Sequence, residues 1–423
     1  MSDTAQTGPV LAADGTPLKK SLARALRLQK TRALMLIAPL LAFVLISFIV
    51  PIGEMLWRSV ENDMVSETIP ETVVALAKWD ASSGELPSEE VYAAFTRDMI
   101  IAVEAKNHTK LGTRLNYEQT GISSLFRKSG RQIRKWDPVA DAPFKEKLIE
   151  VHDGWGEVET WRTIQTHART VTPGYFLNAV DMRLTPDGAQ AQPEDKRILI
   201  KLFTRTLIMS LIIMGSCILL GYPIAWLLAN LPMRQANILL ILVLLPFWTS
   251  LLVRTSAWKV LLQSQGVINE ILVWLGMISD DGRLVMINNQ TGTIIAMTHI
   301  LLPFMILPMY SVMQTIPPTY LRAAKSLGAT NWTAFWRVYF PQTIPGIGAG
   351  SILVFILAIG YYITPEIVGG TKGVFISNRI AYHISSSLNW GLAAALGTIL
   401  LAVVLLLYWC YDKIVGIDNV KLG

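Results

Sequence analysis

The feature that most limits what this chain can become is a set of long runs without a single Asp, Glu, Lys or Arg. Residues 33–53, 206–233, 236–253, 292–312, 346–365 and 391–411 are such runs. At a rise of about 1.5 Å per residue, some 20 residues of helix cross the roughly 30 Å hydrocarbon core of a bilayer. A water-soluble core does not need apolar blocks of that length. Composition agrees: of 423 residues 52% are hydrophobic and 16% charged, where a soluble domain carries about 25% charged residues. Mean hydropathy is +0.41. We read the chain as an all-α polytopic membrane protein with six transmembrane helices. The net charge of +6 reads as an excess of Lys and Arg on one side of the membrane, not as a nucleic-acid surface.

The runs divide the chain. Residues 1–32 form a polar tail whose end is basic, with Lys19, Lys20, Arg24, Arg27, Lys30 and Arg32. Residues 33–57 are the first span. A secretory signal would have a shorter apolar region and a small-residue cleavage site. Here Pro51, Glu54, Met55, Leu56 and Trp57 follow, so an uncleaved anchor is expected. Residues 58–199 differ in kind, with charges of both signs and Trp79, Trp136, Trp155 and Trp161. They read as a large extracytoplasmic insert, α+β or mainly helical, between helices 1 and 2. Residues 88–106 predict a helix with Val91, Ala94, Phe95, Met99 and Ile100 on its apolar face. Thr172-Pro173-Gly174 and Thr185-Pro186-Asp187-Gly188 predict turns bracketing short extended pieces. Arg127, Lys128, Arg131, Arg134 and Lys135 form a basic run ending at Trp136, either a solvated helix face or a docking surface. Residues 200–412 hold the other five spans, with a polar loop at 315–342, and 413–423 are a tail.

Orientation follows from the short segments. The N-terminal tail, the turn at Arg234, the loop 315–342 with Arg322, Lys325 and Arg337, and the tail with Lys413 and Lys421 fall on one face. That face is expected to be cytoplasmic, with both termini on it and the insert outside. Catalytic chemistry has no foothold. Cys217 and Cys410 sit inside apolar runs, and the five histidines show no ligand spacing. Walker A, HExxH, GxSxG and GxGxxG patterns are absent. No catalytic residue, metal site or cofactor bound by this chain is expected.

The most informative segment is residues 317–341. Pro318 suits a first helical turn. Tyr320, Leu321, Ala324 and Leu327 fall on one helical face, Arg322 and Lys325 on another. Gly328 is placed to end that helix in the left-handed conformation. Asn331 is expected to cap a second short helix carrying Trp332, Phe335, Trp336 and Tyr339, which Pro341 closes. Two such helices make either a pair of interfacial helices or a rigid knob for a soluble partner. The small Ala323-Ala324 pair and the tight turn favour the knob.

The spacing resembles the EAA loop of ABC importer permeases, in which E-A-A is followed by Gly and then by I-x-L-P. Ala323-Ala324 and Gly328 match, and Val338-Tyr339-Phe340-Pro341 stands where I-x-L-P is expected. Arg322 replaces the family's Glu, a reversal of charge. Residues 220–232 (Leu-Gly-Tyr-Pro-Ile-Ala-Trp-Leu-Leu-Ala-Asn-Leu-Pro) resemble the second span of spermidine/putrescine permeases. Residues 246–254, 268–276 and 300–304 resemble that family too, and the likeness covers about residues 200–412 but not the insert. It implies a permease subunit that works with a second permease, two ATPase subunits that use ATP, a periplasmic substrate-binding protein and membrane lipid, with no nucleic acid. It implies an inner-membrane location and a path for a small organic cation, with a polyamine as the expected cargo. Tyr320, Leu321, Arg322, Ala323, Ala324, Leu327, Gly328, Ala329 and Pro341 would couple to the ATPase.

A cationic cargo needs carboxylates and aromatic faces. Glu366, beside Tyr361 and Tyr362 at the outer end of the fifth span, is the expected entrance, and Trp248 a second element of the path. Glu54 and Glu270 are weaker candidates. Trp248 and Arg254 either shape an outer gate or anchor the interface. His299 is expected to be a packing residue bonded to a neighbouring helix. Three alternatives stay open: an ABC permease for another small solute, an ion-coupled secondary carrier, and a membrane-anchored sensor. A carrier would show buried mid-span acids, and a sensor would need an output domain.

Overall fold

A computed structural model describes residues 18–138 and 141–415. The expected tails are therefore described only in part, and Lys421 lies outside the described residues. The chain divides between Trp57 and Arg58 into two units. The first holds α1, the continuous helix Leu22–Arg58, as far as Trp57; its most apolar window has a hydropathy of 2.9. Glu54 lies on it.

The second unit opens with short helices: α2 (Met64–Thr68), α3 (Pro70–Leu76), α4 (Glu89–Glu104), α5 (His108–Asn116), α6 (Ile122–Ile133), α7 (Phe144–Val151), α8 (Val158–Thr166) and α9 (Gly174–Ala179). A hairpin of β1 (Met182–Thr185) and β2 (Gly188–Ala191) follows. The segment is thus mainly helical. On α4 Val91, Ala94, Phe95 and Met99 are buried and Ile100 half-buried, so the apolar stripe read from the sequence is the core face. The core is aromatic. Phe95 lies 4.4 Å from Trp155 and 5.6 Å from Trp161, and Tyr92 lies 4.8 Å from Trp161. Their polar atoms are all served, as burial demands. Tyr92 OH donates to the Trp155 carbonyl at 2.6 Å, Trp161 Nε1 to Tyr92 OH at 3.1 Å, and Trp155 Nε1 to Ser129 Oγ at 2.7 Å. Of the two bracketing turns, Pro186-Asp187 closes the hairpin. Thr172-Pro173-Gly174 opens α9 instead of an extended piece, because the Pro173 carbonyl accepts the first helical bond, from Leu177. Arg127, Lys128 and Arg131 of the basic run lie on the outer face of α6, whose Ile122, Leu125, Phe126 and Ile133 turn inward, and Arg134 and Lys135 follow its end.

Next come α10 (Leu199–Asn230), α11 (Met233–Leu244), α12 (Leu251–Leu261), α13 (Val267–Trp274), α14 (Gln290–Thr315), α15 (Pro318–Ser326), α16 (the continuous helix Asn331–Gly360), α17 (Ile363–Val368), α18 (Ile376–Ser385) and α19 (Trp390–Val415). Among the described residues five helices are long and apolar enough to cross a membrane, and six if α11 and α12 make one span. The apolar run 236–253 is therefore not the straight helix expected. Pro246 removes an N–H in the turn after α11, and Ser250 starts a new helix by accepting Val253 N–H at 3.2 Å. The two pieces meet at 95°. The fifth span likewise ends at Gly360, not at residue 365, and begins at Asn331.

Helices α10, α14 and α16 share the buried core of the membrane part. Glycine permits the contact between α14 and α16. A Cβ at Gly346 would lie 3.1 Å from Met309 Cα, and one at Gly350 2.7 Å from Met305 Sδ. Small residues four apart bring two backbones together where no hydrophobic force separates lipid-facing from helix-facing surface.

The helical segment before α10 is fastened to these helices. Asp181 accepts Leu199 N–H at 3.0 Å and Ile200 N–H at 2.9 Å, a carboxylate on the first turn of α10. Tyr175 on α9 packs over Gly391 at the start of α19, where a Cβ would fall 2.3 Å from its ring. Behind it Arg114 donates to Tyr175 OH at 2.9 Å and to Glu118 at 2.7 Å, both ion-pair partners being almost fully buried.

Candidate functional site

The segment 317–341 folds by local rules. Pro317 is extended and Pro318 takes the first helical position of α15, where its missing N–H has no acceptor to lose. The C-terminus is a Schellman motif. Gly328 N–H donates to the Lys325 carbonyl at 3.0 Å and Ala329 N–H to the Ala324 carbonyl at 3.1 Å, with Gly328 at φ +88°. The α16 cap is Thr330, not Asn331. Thr330 has the extended backbone of a cap and its Oγ1 accepts Thr333 N–H at 3.2 Å, while Asn331 already sits in the first turn.

Pro341 does not close the second helix. A π-helical turn at Phe335–Tyr339 precedes it, with Phe340 N–H bonded to the Phe335 carbonyl five residues back. That wider turn accommodates the proline, and α16 runs on into the membrane core. Its base is held by aromatic contacts to α10. Tyr222 lies 6.3 Å from Phe335 and 5.8 Å from Phe340, and Tyr222 OH sits 3.3 Å from Thr343 Oγ1.

Between α15 and the start of α16 lies a concavity of about 500 Å³. Tyr320, Ala323, Ala324, Leu327, Gly328 and Ala329 line it, all singled out in the sequence. Thr333, Arg337 and Val338 complete it; Arg337 and Val338 stood out in the sequence only as a loop cation and as part of the closing motif, and Thr333 not at all, although 333 and 337 lie one turn apart on the facing helix. Leu321 is half-buried against the core instead, and Pro341 lies outside the concavity. Leu327 is 90% exposed, Trp332 72% and Tyr320 51%. Arg322, Lys325 and Arg337 are exposed too. Tyr320 and Leu327 thus border the hollow with large exposed apolar groups.

The second cluster lies where α16 ends. Ser377 Oγ donates to the Tyr361 carbonyl at 2.6 Å. Asn378 Nδ2 donates to the Tyr362 carbonyl at 2.9 Å and to Glu366 Oε2 at 2.6 Å. Two side chains of α18 thus pin the elbow between α16 and α17 and gather Tyr361, Tyr362 and Glu366. Trp248 is not part of this group; it lies on the turn after α11, 76% exposed. Glu270 is paired with Arg283 at 2.9 Å. His299 accepts Trp258 Nε1–H at 3.1 Å from α12, the packing role expected. Among the described residues no three His, Cys, Asp or Glu side chains converge as metal ligands would.

A family model described as "Binding-protein-dependent transport system inner membrane component" matches residues 199–415. The chain is 38% identical over 211 residues to the spermidine/putrescine transport system permease protein PotB of Salmonella typhimurium (strain SL1344), covering 49% of this chain and 73% of that one. Against PotB of Escherichia coli (strain K12) it is 37% identical over 211 residues, covering 49% and 76%. The inner membrane ABC transporter permease protein YdcU of the same strain is 33% identical over 222 residues, covering 50% and 70%.

Proposed function

Because the chain belongs to the family of binding-protein-dependent transport system inner membrane components, we propose that it is the permease subunit of an ATP-driven importer whose cargo is a polyamine. Its working partners in this reading are a second permease, two ATPase subunits and a substrate-binding protein outside. The 58–199 segment faces that binding protein and the knob of α15 and α16 faces the ATPase, with both termini on the ATPase side. The cargo assignment rests on the likeness to permeases named for spermidine and putrescine.

The observation that carries the coupling is α16 itself. One unbroken helix of 30 residues, about 45 Å long, begins in the knob and ends at the elbow of Tyr361, Tyr362 and Glu366. ATP-driven closure of the ATPase pair would displace the knob, and a helix transmits an axial push or tilt without the slack of a loop. Gly346 and Gly350 pass that movement to α14 at backbone contact. At the far end Asn378 and Ser377 hold the elbow, so a tilt of α16 would move Glu366 and the two tyrosines together. A carboxylate flanked by aromatic rings suits an ammonium group, and Trp248 on the bent span would line the same path. The knob is then the two-state element that both ends bias.

The test is uptake in proteoliposomes holding this chain, its companion permease, their ATPase and the binding protein. ATP-dependent accumulation of labelled spermidine or putrescine is expected. An ATPase that responds to loaded binding protein while neither polyamine is taken up would keep the importer and reject the cargo.

A further inference from the structure

The knob has one sign of charge. From residue 282 to residue 365 the chain contains no Asp or Glu, and its Lys and Arg in 284–365 are Arg322, Lys325 and Arg337 alone. All three are exposed, and among the described residues none is in an ion pair. Arg337 lines a concavity whose floor is small and apolar, Ala323, Ala324, Gly328 and Ala329, and whose lip carries Leu327, 90% exposed; Arg322 and Lys325 stand exposed on α15, the helix that forms one wall of it. Unpaired cations on a helix that walls an apolar hollow are a complementary half. Their mates are carboxylates on whatever fills it.

We propose that this knob docks a partner protein whose contact surface presents carboxylates to Arg322 and Lys325, and that this pairing selects the partner. The inference rests on the ATPase-facing reading of the knob, and it identifies the chemistry of that partner's cleft. A hollow between two helices fits a protruding side chain, which a flat headgroup layer does not supply, so a protein is favoured over anionic lipid. Cations at the rim of a contact act chiefly on encounter rate and on the choice of partner. Like charges placed opposite each other there repel, and the effect is screened by salt.

The experiment measures binding of the cognate ATPase to the complete permease pair in nanodiscs made with zwitterionic lipid only, over a salt series from about 50 to about 300 mM. Wild type is expected to weaken as salt rises. Arg322→Glu with Lys325→Glu is expected to weaken binding about tenfold or more at low salt and to flatten the salt slope, while Arg322→Lys keeps both. Two controls separate the layers. Gly328→Asp, which puts a side chain into the hollow, should impair docking if the knob is the contact at all; unchanged docking by that variant overturns the knob reading and this inference with it. Docking lost in Gly328→Asp but unchanged in the double Glu variant overturns the charge inference alone. A charge effect that appears only when anionic lipid is added assigns the cations to the membrane and overturns it as well.

Discussion

Gly328 shows how one residue serves the backbone and not the packing. Its φ is +88° and a Cβ there would meet no atom within 4 Å. Another residue would fit the space but would pay the left-handed strain, about 1 kcal/mol. Asp tolerates that conformation better than most, so Gly328→Asp leaves the fold intact and puts a carboxylate in the concavity. We expect normal membrane levels and ATP-driven uptake reduced about tenfold or more, the size of a lost 1.4 kcal/mol or greater. Wild-type uptake by this variant would show that the concavity contacts nothing during transport. Gly328 was legible in the sequence because a helix end has a local chemical signature. Asn331 was misread by one position because Thr330 and Asn331 are both good caps, and only the backbone conformation decides between them.

At the scale of elements, the start of α3 is held from far along the chain. Asp98 accepts Thr72 N–H at 2.7 Å, Thr72 Oγ1–H at 2.6 Å and Glu71 N–H at 3.3 Å. It thereby caps α3, whose own Pro70 offers no N–H. Asp98→Ala leaves those buried donors unmet and should cost about 1–3 kcal/mol, read as a lower melting temperature of the purified protein. Unchanged melting would show that water replaces the carboxylate. The α14–α16 contact is set by Gly346 and Gly350. Gly350→Val drives branched carbon into Met305, an overpacking of about 1–3 kcal/mol. Thermal stability in detergent should fall, and uptake should fall more than stability if that contact moves during the cycle. Stability and uptake both at wild-type level would mean the helices are not in backbone contact in the membrane. Long uncharged runs marked these helices as spans, and neither a break at Pro246 nor a continuation through Pro341 followed from them. A proline breaks or does not break a helix according to whether a neighbouring turn can widen, which is a property of the packed helix.

At the scale of the whole molecule, the second unit joins an aromatic-cored segment to the membrane helices through charge buried at their junction. Arg114 and Glu118 form that pair, with Tyr175 against Gly391 on one side and His167 Nε2 at 3.7 Å from Glu118 Oε2 on the other. Burial lowers the pKa of His167 below its ordinary 6.5; Glu118 opposes the shift and Arg114 adds to it. The folded imidazole therefore binds protons less readily than the unfolded one. Its contribution to stability is full above pH about 6.5 and declines as pH falls from there toward the lowered folded value. Melting followed by the buried Trp155 and Trp161 should drop as the pH falls below about 6.5, and His167→Gln should reduce that drop. An equal drop in both proteins would assign it to other groups.

The sequence by itself determined the kind of solvent this chain lives in, the number and rough limits of its apolar runs, and the cap, turn and exposed face of α15. Each of those depends on residues within about one helical turn of each other, or on a length matched to a bilayer. Tertiary structure alone decided that α16 is one helix from knob to elbow, that Ser377 and Asn378 gather Tyr361, Tyr362 and Glu366, and that Trp248 stands apart from them. It also decided that Glu270 is paired with Arg283. Those facts depend on which distant side chain reaches a given backbone group, and that is set by how the helices pack.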